Sequence, residues 1–450
     1  MSDLPRSTPA EQGVDAGGID AFVAALESAP GIEPHSLMVL RHGHVVAERW
    51  WRPYRPGTPH LLYSVSKAVA STALGFAVTE GLVDLDATVL SYFPEHDTRV
   101  TDPRSRSILV RHVASMTSGH AGETVEQAFR AGEGDLTLGL LLLPPEREPG
   151  TFFAYNQPCT NALSAIIERV SGAPMTEFLR PRLFEPLGID QYGWWPDPIG
   201  REQGFSGLHL TTESVAKIGQ FYLDGGSWRG RKLLPAEWIA EATRRHVATD
   251  MVNPDSRHGY GFKFWRSLHG YRGDGAFGQY LLVLPEADAV VAITSQSTDT
   301  QGILDQAWTH LLPALTAGTG PAGPWPAGSP ELARPAGDGS TGEFTEAAYR
   351  PGPDNTVGTL RRVLLRPGGL VLDDGRELTA ELGAPDSWTV AGPVATAHAW
   401  SGGRLLVDVV FTESPHRLHL ALDPATGTFA ASWQTAPLAP ITLAALRMPR

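Results

Sequence analysis

Apolar residues recur along this chain at two periods, and the changes of period divide it. Over 19–26 they fall three and four apart, the spacing of one helix face. Apolar runs at 36–40 and 45–47 then flank His42-Gly43 and predict a hairpin. From about 64 to 246 the pattern is mostly helical: 68–78 is rich in Ala and Val and reads as a buried helix, and 160–170 and 215–223 are further helices. Strands return as two apolar runs, 279–284 and 289–294, joined by the turn-forming Pro285-Glu286-Ala287-Asp288. A helix follows over about 303–315.

Strands at both ends with helices between predict an α+β fold over 1–316, in which one antiparallel sheet is flanked by helices and holds a helical insertion. Residues 317–342 are rich in Gly, Pro and Ala, lack apolar periodicity and read as a linker. Beyond them Leu405, Val407, Val409 and Phe411 alternate, as do Leu418, Leu420 and Leu422. With a strand at 358–365 they predict a small antiparallel β-domain over 343–450. The chain carries no internal repeat.

At 450 residues there is length for two domains and a large core. The 36 basic and 49 acidic residues give a net charge of −13, and no basic stretch tracks a phosphate backbone, so nucleic acid is not an expected partner. The single cysteine, Cys159, excludes an internal disulfide. The polar opening Met1-Ser2-Asp3-Leu4-Pro5 has no signal-peptide pattern, and no run of 18 apolar residues occurs. The expectation is a cytoplasmic chain without a membrane partner.

Ser64-Val65-Ser66-Lys67 changes the picture most. A serine and a lysine three apart on a helix share a face, and a lysine kept neutral by burial can take the proton of a serine hydroxyl. Near a helix N-terminus, backbone N–H groups at Ser64 would face an oxyanion. The spacing alone is not unique, because with only four lysines the chain repeats it at Ser214-Val215-Ala216-Lys217. That copy follows Thr211-Thr212-Glu213 and reads as the capped first turn of an amphipathic helix.

Two further elements stand out. Tyr155 lies in Pro149-Gly150-Thr151-Phe152-Phe153-Ala154-Tyr155-Asn156-Gln157-Pro158, a loop entering a helix, where a phenol beside an ammonium can share a proton path with Lys67. Gly273-Asp274-Gly275-Ala276-Phe277-Gly278 matches the dinucleotide-binding string, but a strand follows it where that fold needs a helix. Glycines at the start of a strand instead allow close backbone approach, and the Ala276 N–H would pair with that of Ser64 around an oxyanion.

Taken in order, these motifs resemble the serine β-lactamase-like superfamily, most closely its class C β-lactamase, esterase and 6-aminohexanoate-dimer hydrolase branch, over about residues 30–315. Arg111-His112-Val113-Ala114-Ser115-Met116-Thr117-Ser118-Gly119, Ile166-Ile167-Glu168-Arg169-Val170-Ser171-Gly172 and Phe184-Glu185-Pro186-Leu187-Gly188 look like its landmarks. The resemblance implies Ser64 as nucleophile, Lys67 and Tyr155 as proton carriers, and Gly273-Asp274-Gly275 at the place of the substrate-binding Lys-Thr-Gly strand. Two departures bear on substrate. Gln157, with Asn156 before it, stands where Tyr-x-Asn has its amide, and the cation that meets a penicillin-type carboxylate is replaced by Gly273 beside Asp274, with Arg272 adjacent.

The reading is a serine hydrolase that cleaves a small ester, amide or peptide-like substrate through a Ser64 acyl-enzyme, as an esterase or amidase rather than a true β-lactamase, without metal or organic cofactor. Two alternatives stay open: acyl transfer to an amine or alcohol from the same intermediate, and a catalytically silent binding protein on this fold. His42 and His44 read as a solvated turn, and Cys159 as a small buried residue.

Overall fold

The computed structural model describes residues 4–316, 318, 325, 329–342 and 344–449. Its first sheet has six antiparallel strands in the order His44–Trp50, Ile32–Arg41, Ala289–Ser297, Gln279–Leu284, Tyr271–Gly275 and Trp265–Arg266. The early strand Ile32–Arg41 therefore pairs with the late strand Ala289–Ser297 inside the sheet, where Leu37 lies opposite Ile293 and Val39 opposite Val291. Side chains alternate across the pleat. Met38, Leu40, Leu281, Val283, Val290 and Ala292 pack against the helical insertion. Leu37, Val39, Leu282, Leu284, Val291 and Ile293 pack under the helices Ala16–Ser28 and Thr300–Gln306. With both faces covered, these strands read as unbroken apolar runs instead of alternating ones.

The helices fall where the periodicity puts them: Ser66–Thr79, Gln157–Ser171, Thr212–Leu223, and a C-terminal series from Thr300 to Thr316. One expectation is corrected. The glycine string does lead into the strand Gln279–Leu284, but its first half is not a turn: Tyr271–Gly275 is itself a strand, and Ala276-Phe277-Gly278 forms the turn of its hairpin with Gln279–Leu284, where Gly275 pairs with Gln279.

The C-terminal unit is a nine-stranded sheet whose strands run in the order Glu377–Glu381, Gly369–Asp373, Arg362–Arg366, Ala347–Pro351, Thr428–Trp433, Arg417–Asp423, Arg404–Phe411, Val394–Ser401 and Thr389–Ala391. All pairs are antiparallel except Ala347–Pro351 with Thr428–Trp433. The Thr396 hydroxyl donates to the Glu381 carbonyl near the two ends, so the sheet nearly closes on itself. The alternating residues Leu405 to Phe411 and Leu418 to Leu422 line its core. The strand expected over 358–365 begins only at Arg362, because Leu360 N–H bonds back to the Val357 carbonyl in a turn.

Of the linker read over 317–342, residues 317, 319–324 and 326–328 lie outside the described residues. Part of the remainder is docked. Arg52 N–H donates to the Pro330 carbonyl at 2.7 Å and Leu332 N–H to the Arg52 carbonyl at 2.8 Å. The loop after Phe411 reaches the first unit directly, with Leu61 N–H on the Glu413 carbonyl at 2.9 Å and the Tyr54 hydroxyl on the Ser414 carbonyl at 3.0 Å. Among the described residues no helix is long and apolar enough to cross a membrane.

Candidate active site

Tyr63–Val65 forms a single 3₁₀ turn that runs directly into the helix Ser66–Thr79. Ser64 thus sits just ahead of the α-helix rather than on it, while the continuous winding keeps Lys67 one turn away. Lys67 Nζ donates to Ser64 Oγ at 2.8 Å and to the Phe205 carbonyl at 2.8 Å, and lies 4.8 Å from the centre of the Tyr155 ring. Only 1% of Lys67 is exposed. Burial drives its amine well below the ordinary lysine value; nearby Lys263 pushes the same way, against the weaker pull of Glu123 and Asp274.

Tyr155 enters the site just before the helix Gln157–Ser171 and stacks on Trp265 at 5.7 Å. Burial raises its phenol above the usual value, and a hydrogen bond from Ser64 only partly opposes this. Lysine and phenol are both pushed toward their neutral forms. Of the protonation states the sequence left open for this pair, burial favours the neutral amine and the neutral phenol.

The two amides after Tyr155 part company. Asn156 is fully buried, and its Oδ1 accepts from Thr124 N–H and Oγ1 at 3.0 Å each, tying down a loop. Gln157 lines the cleft in front of Ser64, and its Oε1 has no hydrogen-bond partner among the described residues. The strand Tyr271–Gly275 passes the nucleophile turn so closely that a Cβ at Gly275 would lie 2.3 Å from the Leu62 carbonyl oxygen. Gly273, Asp274, Gly275 and Ala276 are thereby carried alongside Ser64.

Arg272 does not take the missing cation's place. It is 1% exposed, with Nε on Asp274 Oδ2 at 2.9 Å, Nη1 on Ser267 Oγ at 2.6 Å and Nη2 on Ser256 Oγ at 3.0 Å. Asp274 is consequently half of an ion pair instead of a bare carboxylate, and burial raises its pKa against the pull of Arg272.

The second Ser-x-x-Lys does structural work. The Ser214 hydroxyl meets Thr211 Oγ1 at 2.8 Å beneath the helix cap, and Lys217 Nζ donates to the Gly188 carbonyl at 3.2 Å. His44 Nδ1 bonds the His42 carbonyl within the hairpin turn, and Cys159 is fully buried. Among the described residues no group of three or more His, Cys, Asp or Glu side chains is arranged to hold a metal ion.

Ser64 opens into a cleft of about 520 Å³. Glu123, Gln157 and Phe205 line it beside Ser64; Phe129, Leu136 and Trp195 give it an apolar wall; and Pro437, Leu438 and Ile441 arrive from the C-terminal unit. Sequence reasoning did not find Phe205, Trp265 or the 437–441 segment, since each reaches the site by tertiary topology and leaves no local pattern.

The Beta-lactamase profile matches residues 19–316, about two thirds of the chain. The chain belongs to the Beta-lactamase family. Within the reach of that family it is 27% identical over 328 residues to the 6-aminohexanoate-dimer hydrolase of Paenarthrobacter ureafaciens, covering 66% of this chain and 82% of the relative. Esterase EstB of Burkholderia gladioli is 27% identical over 180 residues, 35% of this chain and 46% of the esterase. Among solved structures, the octameric penicillin-binding protein homologue from Pyrococcus abyssi superposes with a TM-score of 0.51 at 18% identity, covering 90% of this chain and 98% of its own. That coverage carries the fold likeness past the Beta-lactamase match and into the C-terminal unit.

Proposed function

We propose that the protein is a serine hydrolase that cleaves a small ester or amide bond through an acyl-enzyme on Ser64. The observation that carries this reading is the 2.8 Å contact between Ser64 Oγ and a buried amine, Lys67 Nζ, whose environment favours the neutral form. In this reading Lys67 takes the Ser64 proton as Oγ attacks the carbonyl carbon. The N–H groups of Ser64 and Ala276 bind the resulting oxyanion. Tyr155, protonated at rest, passes a proton to the leaving group and recovers one from the Lys67 ammonium. Water then attacks the acyl-enzyme by the same path in reverse.

The apolar wall around Phe129, Leu136 and Trp195 suits an uncharged acyl group of moderate size. Neither Gly273 nor the locked Arg272 offers a cation to a β-lactam carboxylate. The test is a panel of p-nitrophenyl butyrate, an aminoacyl amide and benzylpenicillin, with and without an added amine acceptor. Ester or amide turnover exceeding that of the β-lactam is the expected result, and a β-lactam kcat/KM equal to or above the ester value overturns it. An amide product dominating over the acid in the presence of amine would assign acyl transfer instead of hydrolysis.

A further inference from the structure

Two non-glycine residues near the nucleophile hold left-handed backbone: Tyr63, with φ 47°, immediately before Ser64, and Phe277, with φ 65°, immediately after Ala276. Such conformations are strained for bulky residues and persist only where the surroundings enforce them. Phe277 is held in its hairpin turn by Ser297 N–H and Ser295 Oγ on its carbonyl, and one side chain of the C-terminal unit packs against both residues. The His416 ring meets the Phe277 ring edge-on at 5.4 Å and the Tyr63 ring at 5.9 Å, while Tyr63 and Phe277 touch each other at 5.2 Å. Tyr63 Oη and His416 Nε2 are 2.6 Å apart, across 353 residues of sequence.

The polarity of that bond follows from its neighbours. His416 Nδ1 faces the Thr435 carbonyl at 3.0 Å, which can only accept, so Nδ1 carries the proton and Nε2 accepts from the tyrosine. Burial pushes the His416 pKa down to about 4, consistent with a neutral ring. The Tyr63 oxygen also receives the Leu438 N–H, at the segment that walls the cleft. Ser66 Oγ donates to the Tyr63 carbonyl at 2.5 Å, fixing the other side of the same peptide.

We infer that His416 is a positioning residue for the oxyanion site, clamping through Tyr63 and Phe277 the two backbone segments whose N–H groups belong to Ser64 and Ala276. This rests on the Ser64 acyl-enzyme reading above. It gives the C-terminal unit a part in the chemical step: a donor set that must point at charge arising only in the transition state is aligned from outside the hydrolase fold. His416 itself touches neither nucleophile nor substrate.

The experiment compares the full-length wild type with His416→Ala, His416→Gln and Tyr63→Phe. Each is assayed with p-nitrophenyl butyrate for kcat and KM, with phenylboronic acid as a tetrahedral inhibitor for Ki, and by thermal melting. Misaligned donors weaken binding of the tetrahedral state but not of the ground state. His416→Ala should therefore lower kcat about 10- to 100-fold with KM within about threefold, and raise the boronate Ki by a factor similar to the fall in kcat. His416→Gln restores an acceptor near Nε2 and should recover most of the loss. Tyr63→Phe, which keeps the ring and removes only the hydroxyl, should show the same kcat-selective effect at smaller size without unfolding. Wild-type kcat and boronate Ki in both His416→Ala and Tyr63→Phe would overturn the inference, as would losses that follow melting temperature with the kcat and Ki factors unrelated. If Ser64→Ala keeps wild-type activity the functional reading itself fails; if Ser64 is required but the His416 variants are unaffected, only the positioning role fails.

Discussion

Lys263 is a buried lysine near the site with no counter-charge in contact among the described residues, and replacing it should strengthen the fold. It is 2% exposed, holds φ 67°, and its Nζ donates to the Val113 carbonyl at 2.6 Å. Burial lowers its pKa from 10.5 to about 7. A shift of that size, at about 1.4 kcal/mol per unit, means that the folded state forgoes about 5 kcal/mol relative to an unfolded chain with a solvated ammonium. The sign follows from the direction. Between about pH 7 and 10.5 the unfolded state binds more protons than the folded one, so stability rises with pH through that window, and below about pH 7 the penalty is complete. Lys263→Met keeps an unbranched chain of similar volume and removes the penalty, but leaves the Val113 carbonyl without its donor, which costs about 1–3 kcal/mol. The net gain below pH 7 is about 2–4 kcal/mol, a rise of about 2–4 °C in melting temperature. Calorimetry at pH 6.5 and pH 10 measures it, and the advantage should shrink at the higher pH. Activity should move oppositely. Lys263 depresses the Lys67 pKa, so without it the acid limb of kcat/KM should shift to higher pH. A Met variant less stable than wild type at pH 6.5, or an advantage independent of pH, would refute the reasoning.

Asp274→Asn should release the Arg272 guanidinium from its ion pair and create a positive charge near the substrate. For charges about 6 Å apart at an effective dielectric of about 20 this is worth up to about 3 kcal/mol, so the nitrocefin to p-nitrophenyl butyrate ratio of kcat/KM should rise at least about tenfold; an unchanged ratio would remove Asp274 from substrate choice. Lys67→Ala and Tyr155→Phe should each cripple acylation, and the double variant should be far less than additively worse, because both serve one serine hydroxyl. Strict additivity in the logarithm of kcat/KM would mean separate proton paths. Ser214→Ala should leave kcat within about twofold and lower stability by about 1 kcal/mol at most, as expected of a hydroxyl at a helix cap; a large kcat loss measured at unchanged stability would contradict that role.

What was legible in the sequence was local or periodic. Ser64 and Lys67 are three residues apart, so their meeting required only that the chain wind helically there. The paired runs 279–284 and 289–294 declared their strands because every residue in them is buried on one face or the other. The departures Gln157 and Gly273 were visible as letters, but their consequences were not. Whether Arg272 was free depended on Ser267, in the turn of its own hairpin, and on Ser256, which the fold brings to it from the turn Pro254–His258. The sequence could not assign protonation states to Tyr155 and Lys67, because burial, a property of the tertiary structure, is what pushes both toward neutrality. His416 and the 437–441 wall lay in a β-domain whose alternation announced a core and gave no sign of where its loops would dock.

The central claim is that Ser64, activated by Lys67, forms the acyl-enzyme, and mass spectrometry of the protein after reaction with a fluorophosphonate tests it most directly. The account predicts one adduct per chain, mapped to the peptide bearing Ser64 and absent from a folded Ser64→Ala variant whose turnover is at least about a thousandfold slower. An adduct on Ser214 or any other residue, or a Ser64→Ala variant with undiminished turnover, would contradict it.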